Sequence, residues 1–235
     1  MESLKESAVK MSGTAEIEQV ATVSANGETD IGRLIASAVD QVGQDGVITV
    51  EEAKGFNSSL EVVEGMRLDR GYVSPYFINN SDRMVAELRD VLLLISDRHL
   101  RSSDDIMPIL EKVHRLKKPL LVIAGELEDE ALHLLTVNKM QGVLIVCAIR
   151  APGFGESRSG YLSDIAVLTG GAVVSAAAGH DIKGITEEHL GHAKKVIIGR
   201  STTTIIEASG EITGIEDRLT ELRTQLEDVT LSTNE

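Results

Sequence analysis

The chain has 235 residues, with 23 Lys and Arg against 37 Asp and Glu, for a formal net charge of −14. A hydrophobic fraction of 42% is too high for a disordered acidic chain, and this length can bury a sizeable core as one large or two small domains. The acidic balance argues against a duplex-binding protein, and three Tyr, three Phe and no Trp leave little for base stacking. Clean apolar stretches such as residues 91–95 fall far short of the roughly 20 residues that span a bilayer. Residues 1–30 have no apolar core flanked by basic residues, so no secretory signal is expected. The single cysteine, Cys147, allows no internal disulfide and no cysteine metal cluster, and fits a reducing compartment.

The N-terminal part is mostly helical by pattern. Ile31, Leu34, Ile35, Ala38, Val39 and Val42 share one helical face, and Gly43 stands where a left-handed C-cap is needed. A short strand is expected at residues 47–50 and a second at 59–63, with Gly65 marking a boundary. Beyond it the pattern becomes β-α-β-α. Residues 91–95 form a fully apolar strand, expected to be covered on both faces. Residues 102–116 form a helix with Ser102 or Ser103 as N-cap and Pro108 near the first turn. A strand at 120–123, a helix at 128–141 stopped by Gly142, and a third buried strand at 143–148 follow. A helix at 159–169 ends at Gly170-Gly171 and leads into a strand at 172–175. Strands at 196–198 and 203–206 are joined by Gly199-Arg200-Ser201-Thr202 as a hairpin. The sequence closes on a helix whose apolar residues Ile212, Ile215, Leu219, Leu222, Leu226 and Val229 make a continuous seam. Packing on its own domain is the default for such a seam; a coiled-coil partner is the sharper alternative. The alternation of strands and helices defines an α/β core.

Catalytic motifs are scarce. No G-x-x-x-x-G-K-[ST] occurs, and Gly153-Phe154-Gly155 starts a G-x-G-x-x-G that Arg158 breaks, so a structural loop is the simpler reading. Ser201-Thr202-Thr203-Thr204 suits a turn into a strand. His189 and His192, three apart, lack supporting ligands, and no metal site is expected. Cys147 lies in an apolar strand, where it behaves as a small hydrophobe, and no G-x-S-x-G elbow is present. More informative are apolar residues beyond one narrow stripe: Ile106, Met107, Ile109, Leu110 and Val113 on one helix, and Leu132, Leu134, Leu135, Val137 and Met140 on the next. Tyr72, Tyr76 and Phe77, half of all the aromatics, crowd one segment with Gly71 and Pro75. Core burial is the default for such residues; if exposed, they would form an adaptable apolar groove.

The run Asp69-Arg70-Gly71-Tyr72-Val73-Ser74-Pro75-Tyr76-Phe77 closely resembles the segment that opens the apical domain of group I chaperonins, the 60-kDa ring chaperones of bacteria and organelles. Further matches follow in order: Asp45-Gly46-Val47-Ile48-Thr49-Val50, Val63-Glu64-Gly65-Met66, Ala151-Pro152-Gly153-Phe154-Gly155, Leu168-Thr169-Gly170-Gly171 and Thr202-Thr203-Thr204-Ile205-Ile206. The resemblance covers essentially the whole chain. It implies a layered α/β apical-domain core, sheets flanked by helices, over residues 64–235, and a small, mainly helical, incomplete intermediate-domain segment over residues 1–63. The family's equatorial domain, with its Gly-rich phosphate loops, has no counterpart here. The resemblance therefore implies ATP and Mg²⁺ for the full-length family, but no cofactor and no ATP hydrolysis for this chain. Ring formation is expected only in full-length context, with a monomer or weak association for this chain, and the exposed helix face at 31–42 is expected to leave residues 1–63 less stable.

By the same resemblance, the apical domain binds non-native polypeptides, and the mobile loop of a co-chaperonin, in a groove between two helices. The positions carried over are Met107 and Leu110 on the first helix and Leu132, Leu135, Thr136, Val137 and Asn138 on the second. Tyr72, Ser74, Tyr76 and Phe77 supply the adjoining surface, with Leu144 close by. Such apolar, non-directional contact suits a binder of many sequences. Thr136 stands where the family usually has Val, Glu156-Ser157-Arg158-Ser159 replaces a more basic run, and Gly125 replaces an acidic residue, as in a diverged copy. The expected function is a chaperone module assisting folding and refolding, with no nucleic acid or membrane partner, in bacterial cytoplasm or an organellar matrix or stroma. The alternatives are a fragment of a complete ATP-hydrolysing chaperonin and a small-ligand-binding α/β domain.

Overall fold

The computed structural model describes residues 13–43, 65–175 and 182–232, with isolated positions between 48 and 62. The chain divides into two compact units, Met1–Val63 and Glu64–Glu235. Of the strands expected at 47–50 and 59–63, residues 47, 49, 59, 61 and 63 lie outside the described residues.

In the first unit, α1 (Thr14–Ser24) and α2 (Thr29–Val42) pack against each other over small residues. Gly32 sits so close to α1 that a Cβ there would collide with Thr22, and Ala36 is buried beside it. Of the apolar face at 31–42, Ala38 is buried, Leu34, Ile35, Val39 and Val42 are half-buried and Ile31 is exposed. Gly43 ends α2 with φ 77° and ψ 178°, a positive-φ stop rather than the left-handed cap expected.

The second unit contains β1 (Gly65–Leu68), β2 (Ala86–Ser96), β3 (His99–Leu100), β4 (Leu120–Ala124), β5 (Glu126–Leu127), β6 (Val146–Arg150), β7 (Val173–Val174), β8 (Gly191–Ile198) and β9 (Thr203–Ala208). Its helices are α3 (Ser103–Leu116), α4 (Asp129–Met140), α5 (Glu156–Thr169) and α6 (Ile212–Ser232). The main sheet runs β1-β9-β8-β2-β4-β6, with β7 added at the end of β2; β3 and β5 pair separately.

Strand β2 explains the sheet. Its first half alternates buried Ala86 and Leu88 with half-buried Glu87 and exposed Arg89, the pattern of a sheet with one solvated face. This half pairs antiparallel with β8. Residues 91–96 are all buried, and here β2 takes up parallel β4 and β7. Steps β2-α3-β4 and β4-α4-β6 move in one direction across parallel strands. Two successive crossovers of one hand place their helices on the same face, and α3 and α4 touch side by side. Helix α5 rests on β2 and β8 and carries α6.

Boundaries differ from expectation in definable ways. The third strand begins at Val146, not 143, because Val143 and Leu144 both donate backbone N–H groups to the Asn138 carbonyl and stay in the turn after α4. Helix α5 begins at Glu156, three residues early. Pro108 falls in the second turn of α3, inside the helix. The seam of α6 is not covered by its own unit as far as Leu222: Ile212, Leu219 and Leu222 are exposed and Ile215 is half-buried. An ion pair from Arg218 to Asp164 (2.6 Å) joins α6 to α5.

Candidate functional site

The site begins at the amino-terminal end of α3. The Asp105 carboxylate accepts the backbone N–H groups of Ser102 (3.0 Å) and Arg101 (2.9 Å), tying off two donors that a helix start leaves unpaired. These bonds hold the Asp105 carboxyl below the usual carboxylate range. The cap therefore stabilises the fold fully at neutral pH, and its contribution is lost as pH falls through that lowered value. One residue on, Ser103 donates its hydroxyl to Glu130 of α4 at 2.8 Å, fixing the two helices start beside start. Ser103 and Met107 lie on one stripe of α3 at i and i+4, with Leu110, at i+7, on its buried edge. Glu130, Leu134 and Val137 make the matching stripe of α4. Met107 therefore lies on the α4-facing stripe of α3, and Leu134 and Val137 on the α3-facing stripe of α4.

The other flank of α4 meets a single-turn 3-10 helix, Pro75–Phe77. Lys139 donates to the Ile78 carbonyl at 3.0 Å, and Leu132 lies on the same flank as Lys139. This aromatic segment is held from below. Tyr72 N–H donates to the Gly199 carbonyl (3.1 Å), Val73 N–H to the Ala148 carbonyl (3.0 Å), and the Thr203 hydroxyl to the Arg70 carbonyl (2.7 Å). Gly71 runs against the backbone of Gly199 and Arg200, where a Cβ would overlap the Arg200 carbonyl. Gly71→Ala is expected to lower stability by about 1–3 kcal/mol by forcing those backbones apart. A denaturant melt checks this, and an unchanged midpoint would contradict it.

The residues named from the sequence separate into two layers. Tyr76 is 62% exposed and Met107 40%, while Tyr72, Leu132, Thr136, Val137 and Asn138 are half-buried. Leu110 (3% exposed), Leu135 (0%) and Phe77 (1%) belong to the core, contrary to the expectation of a free surface. They point inward because each lies on the sheet-facing side of its turn or helix, and they support the site from beneath. Leu144 is also buried. Ser74 is nearly buried, and its hydroxyl accepts the Tyr76 N–H at 3.4 Å as N-cap of the 3-10 turn. Leu134 was not among the carried-over positions, and the Glu130 contact is what identifies its stripe. Exposed Met140, Val143 and Ile145 extend the apolar surface past the end of α4.

Two polar groups on α4 bond within the helix itself. The Thr136 hydroxyl donates to the Leu132 carbonyl (2.7 Å), and the Asn138 amide to the Leu134 carbonyl (2.8 Å). Thr136 thus offers mainly its methyl group.

Elsewhere the chemistry is structural. His192 bridges Asp90 (2.6 Å) and Ser209 (2.7 Å), an Asp-His-Ser line that sequence spacing did not reveal. The nearby amides are already committed: Ser209 N–H to the His192 carbonyl and Gly210 N–H to the Leu168 carbonyl. Neither is left to stabilise an oxyanion. Hydrogen bonds from His192 and Lys118 hold the Asp90 carboxyl below its ordinary range. His189, in the 3-10 turn Glu187–His189, lies on a different element from His192 of β8. Burial pushes the Cys147 thiol up to about 12. At the start of α5, exposed Phe154 has Arg70 and Arg158 near its ring, at 5.6 and 5.8 Å from the centroid.

A mixed sheet with two helices laid side by side and an aromatic turn beside them defines an α/β domain, with no catalytic centre assembled among the described residues. The model of the TCP-1/cpn60 chaperonin family matches residues 1–225, and the chain belongs to that family. It is a chaperonin-family protein with a role in protein folding, in a family that acts on substrate polypeptides and forms rings. Among the described residues, no helix is long and apolar enough to cross a membrane.

Proposed function

We propose that the α3–α4 face, with the Pro75–Phe77 turn beside it, holds exposed apolar segments of non-native polypeptides. One observation carries this reading: Met107, Leu132, Leu134, Val137 and Tyr76 remain partly or largely exposed, while Thr136 and Asn138 spend their hydrogen bonds inside α4. A surface with apolar walls and few free directional groups binds by area rather than by sequence.

The unit Glu64–Glu235 is then an apical-type module, and Met1–Val63 an intermediate-domain-type segment, of a group I chaperonin. A co-chaperonin mobile loop would compete for the same face. Capture by this chain needs no nucleotide, and the 235 residues act as a passive holder, monomeric or weakly associated. ATP and Mg²⁺ belong to the ring-forming parts of the family fold, and the setting is bacterial cytoplasm or an organellar matrix. The test is aggregation of a chemically denatured client diluted into the chain without nucleotide. Suppression is expected at a few-fold molar excess; aggregation equal to that with an inert protein would overturn the reading.

A further inference from the structure

Met107 brings a thioether to the groove wall. Of the other apolar side chains in the first three turns of α3, Ile106, Ile109, Leu110 and Val113 are buried and Pro108 is half-buried, so Met107 is the most exposed one that a bound segment would touch there. At 40% exposure the side chain is within reach of small solutes. The chain's one thiol does not compete for them, because Cys147 is fully buried and its protonated form is favoured.

We propose that Met107 is an oxidation site at which hydrogen peroxide closes the groove to apolar segments, an inference that rests on the groove reading above. In the step, a lone pair on Met107 Sδ attacks one peroxide oxygen and the O–O bond breaks. The second oxygen leaves and, after proton transfer, becomes water. The sulfur is oxidised by two electrons to the sulfoxide, and peroxide is reduced to water. The product replaces a flexible apolar tip with a polar S=O group. On α4 the Thr136 hydroxyl and one N–H of the Asn138 amide are engaged with their own helix. An apolar segment entering the groove would therefore strip water from the sulfoxide without replacing its hydrogen bonds, which weakens binding. Met140 and Met84 are also exposed, but Met140 lies beyond the groove stripe at the end of α4 and Met84 in the turn before β2.

The test uses the full chain, a fluorescently labelled apolar peptide and anisotropy. Kd is measured before and after hydrogen peroxide treatment, with oxidation at each methionine read by mass spectrometry. The oxidised chain is expected to bind about tenfold more weakly. Each variant is compared with itself before treatment: the ratio of Kd after to Kd before is expected to stay near one in Met107→Leu, whatever its own starting Kd, and to rise in Met140→Leu as it does in the parent. Circular dichroism reports whether the fold survives each treatment. Equal loss in Met107→Leu and the parent, or oxidation of Met84 and Met140 with Met107 spared, would overturn the proposal while leaving the groove reading in place. Failure of the untreated chain to bind would sink the groove reading, and the proposal with it.

Discussion

Replacing Met107, Leu132 and Val137 together by serine is expected to weaken capture of a denatured client about a hundredfold while the fold survives. Each side chain is half-buried or exposed in the free protein, so each retains apolar area that only a bound segment covers. That area is worth about 1 kcal/mol per side chain. Three such losses amount to about 3 kcal/mol, and 1.4 kcal/mol is tenfold in affinity. Serine also adds a hydroxyl that a bound apolar segment cannot satisfy. Met107 gives up little packing, while Leu132 and Val137 give up part of theirs, a smaller loss each than at a fully buried position. Circular dichroism and a thermal melt establish that the variant is folded; capture at the parental level by the folded variant would contradict the groove.

Leu110→Ser and Leu135→Ser are expected to act on stability instead. Both side chains are fully packed beneath the two helices. Cutting either back leaves a cavity and buries a hydroxyl among Leu, Ile and Val groups. Large-to-small changes in such positions cost about 2–5 kcal/mol, a large fraction of a domain's total stability. Capture would fall in these variants because the helices no longer hold their places. A denaturant midpoint separates the cases: it drops sharply for Leu110→Ser and Leu135→Ser and little for the triple surface variant. A Leu135→Ser protein of parental stability that fails to capture would instead make Leu135 a contact residue.

These two layers show what the amino-acid pattern conveys and what it leaves out. The β-α-β-α order was legible because residues 91–95 and 120–123 are unbroken apolar runs and Gly142 and Gly170 punctuate the helices. The first half of β2 was not, because Glu87, Arg89 and Asp90 break the apolar run, and Glu87 is carried in the sheet by ion pairs to Arg89 and Lys195. Val143 and Ile145 look like strand residues by composition, yet the Asn138 carbonyl captures the following amides and delays the strand. The candidate site was legible as a list of apolar residues on two helices and an aromatic segment. Its depth was not, since Met107 and Leu110 differ by less than one helical turn and periodicity does not say which one the sheet covers. Leu134 became part of the wall only through the Ser103–Glu130 hydrogen bond, a contact between residues far apart in sequence.

The central claim is that apolar segments bind between α3 and α4 and beside the Pro75–Phe77 turn. Backbone amide chemical shifts, followed while an unlabelled apolar peptide is titrated into the isotope-labelled chain, test it most directly. Shifts are expected to concentrate at Met107, at residues 132–140 and at Tyr76, with β8, β9 and α6 unmoved. Saturable binding whose shifts fall on β8, β9 or α6 and spare the two helices would contradict it.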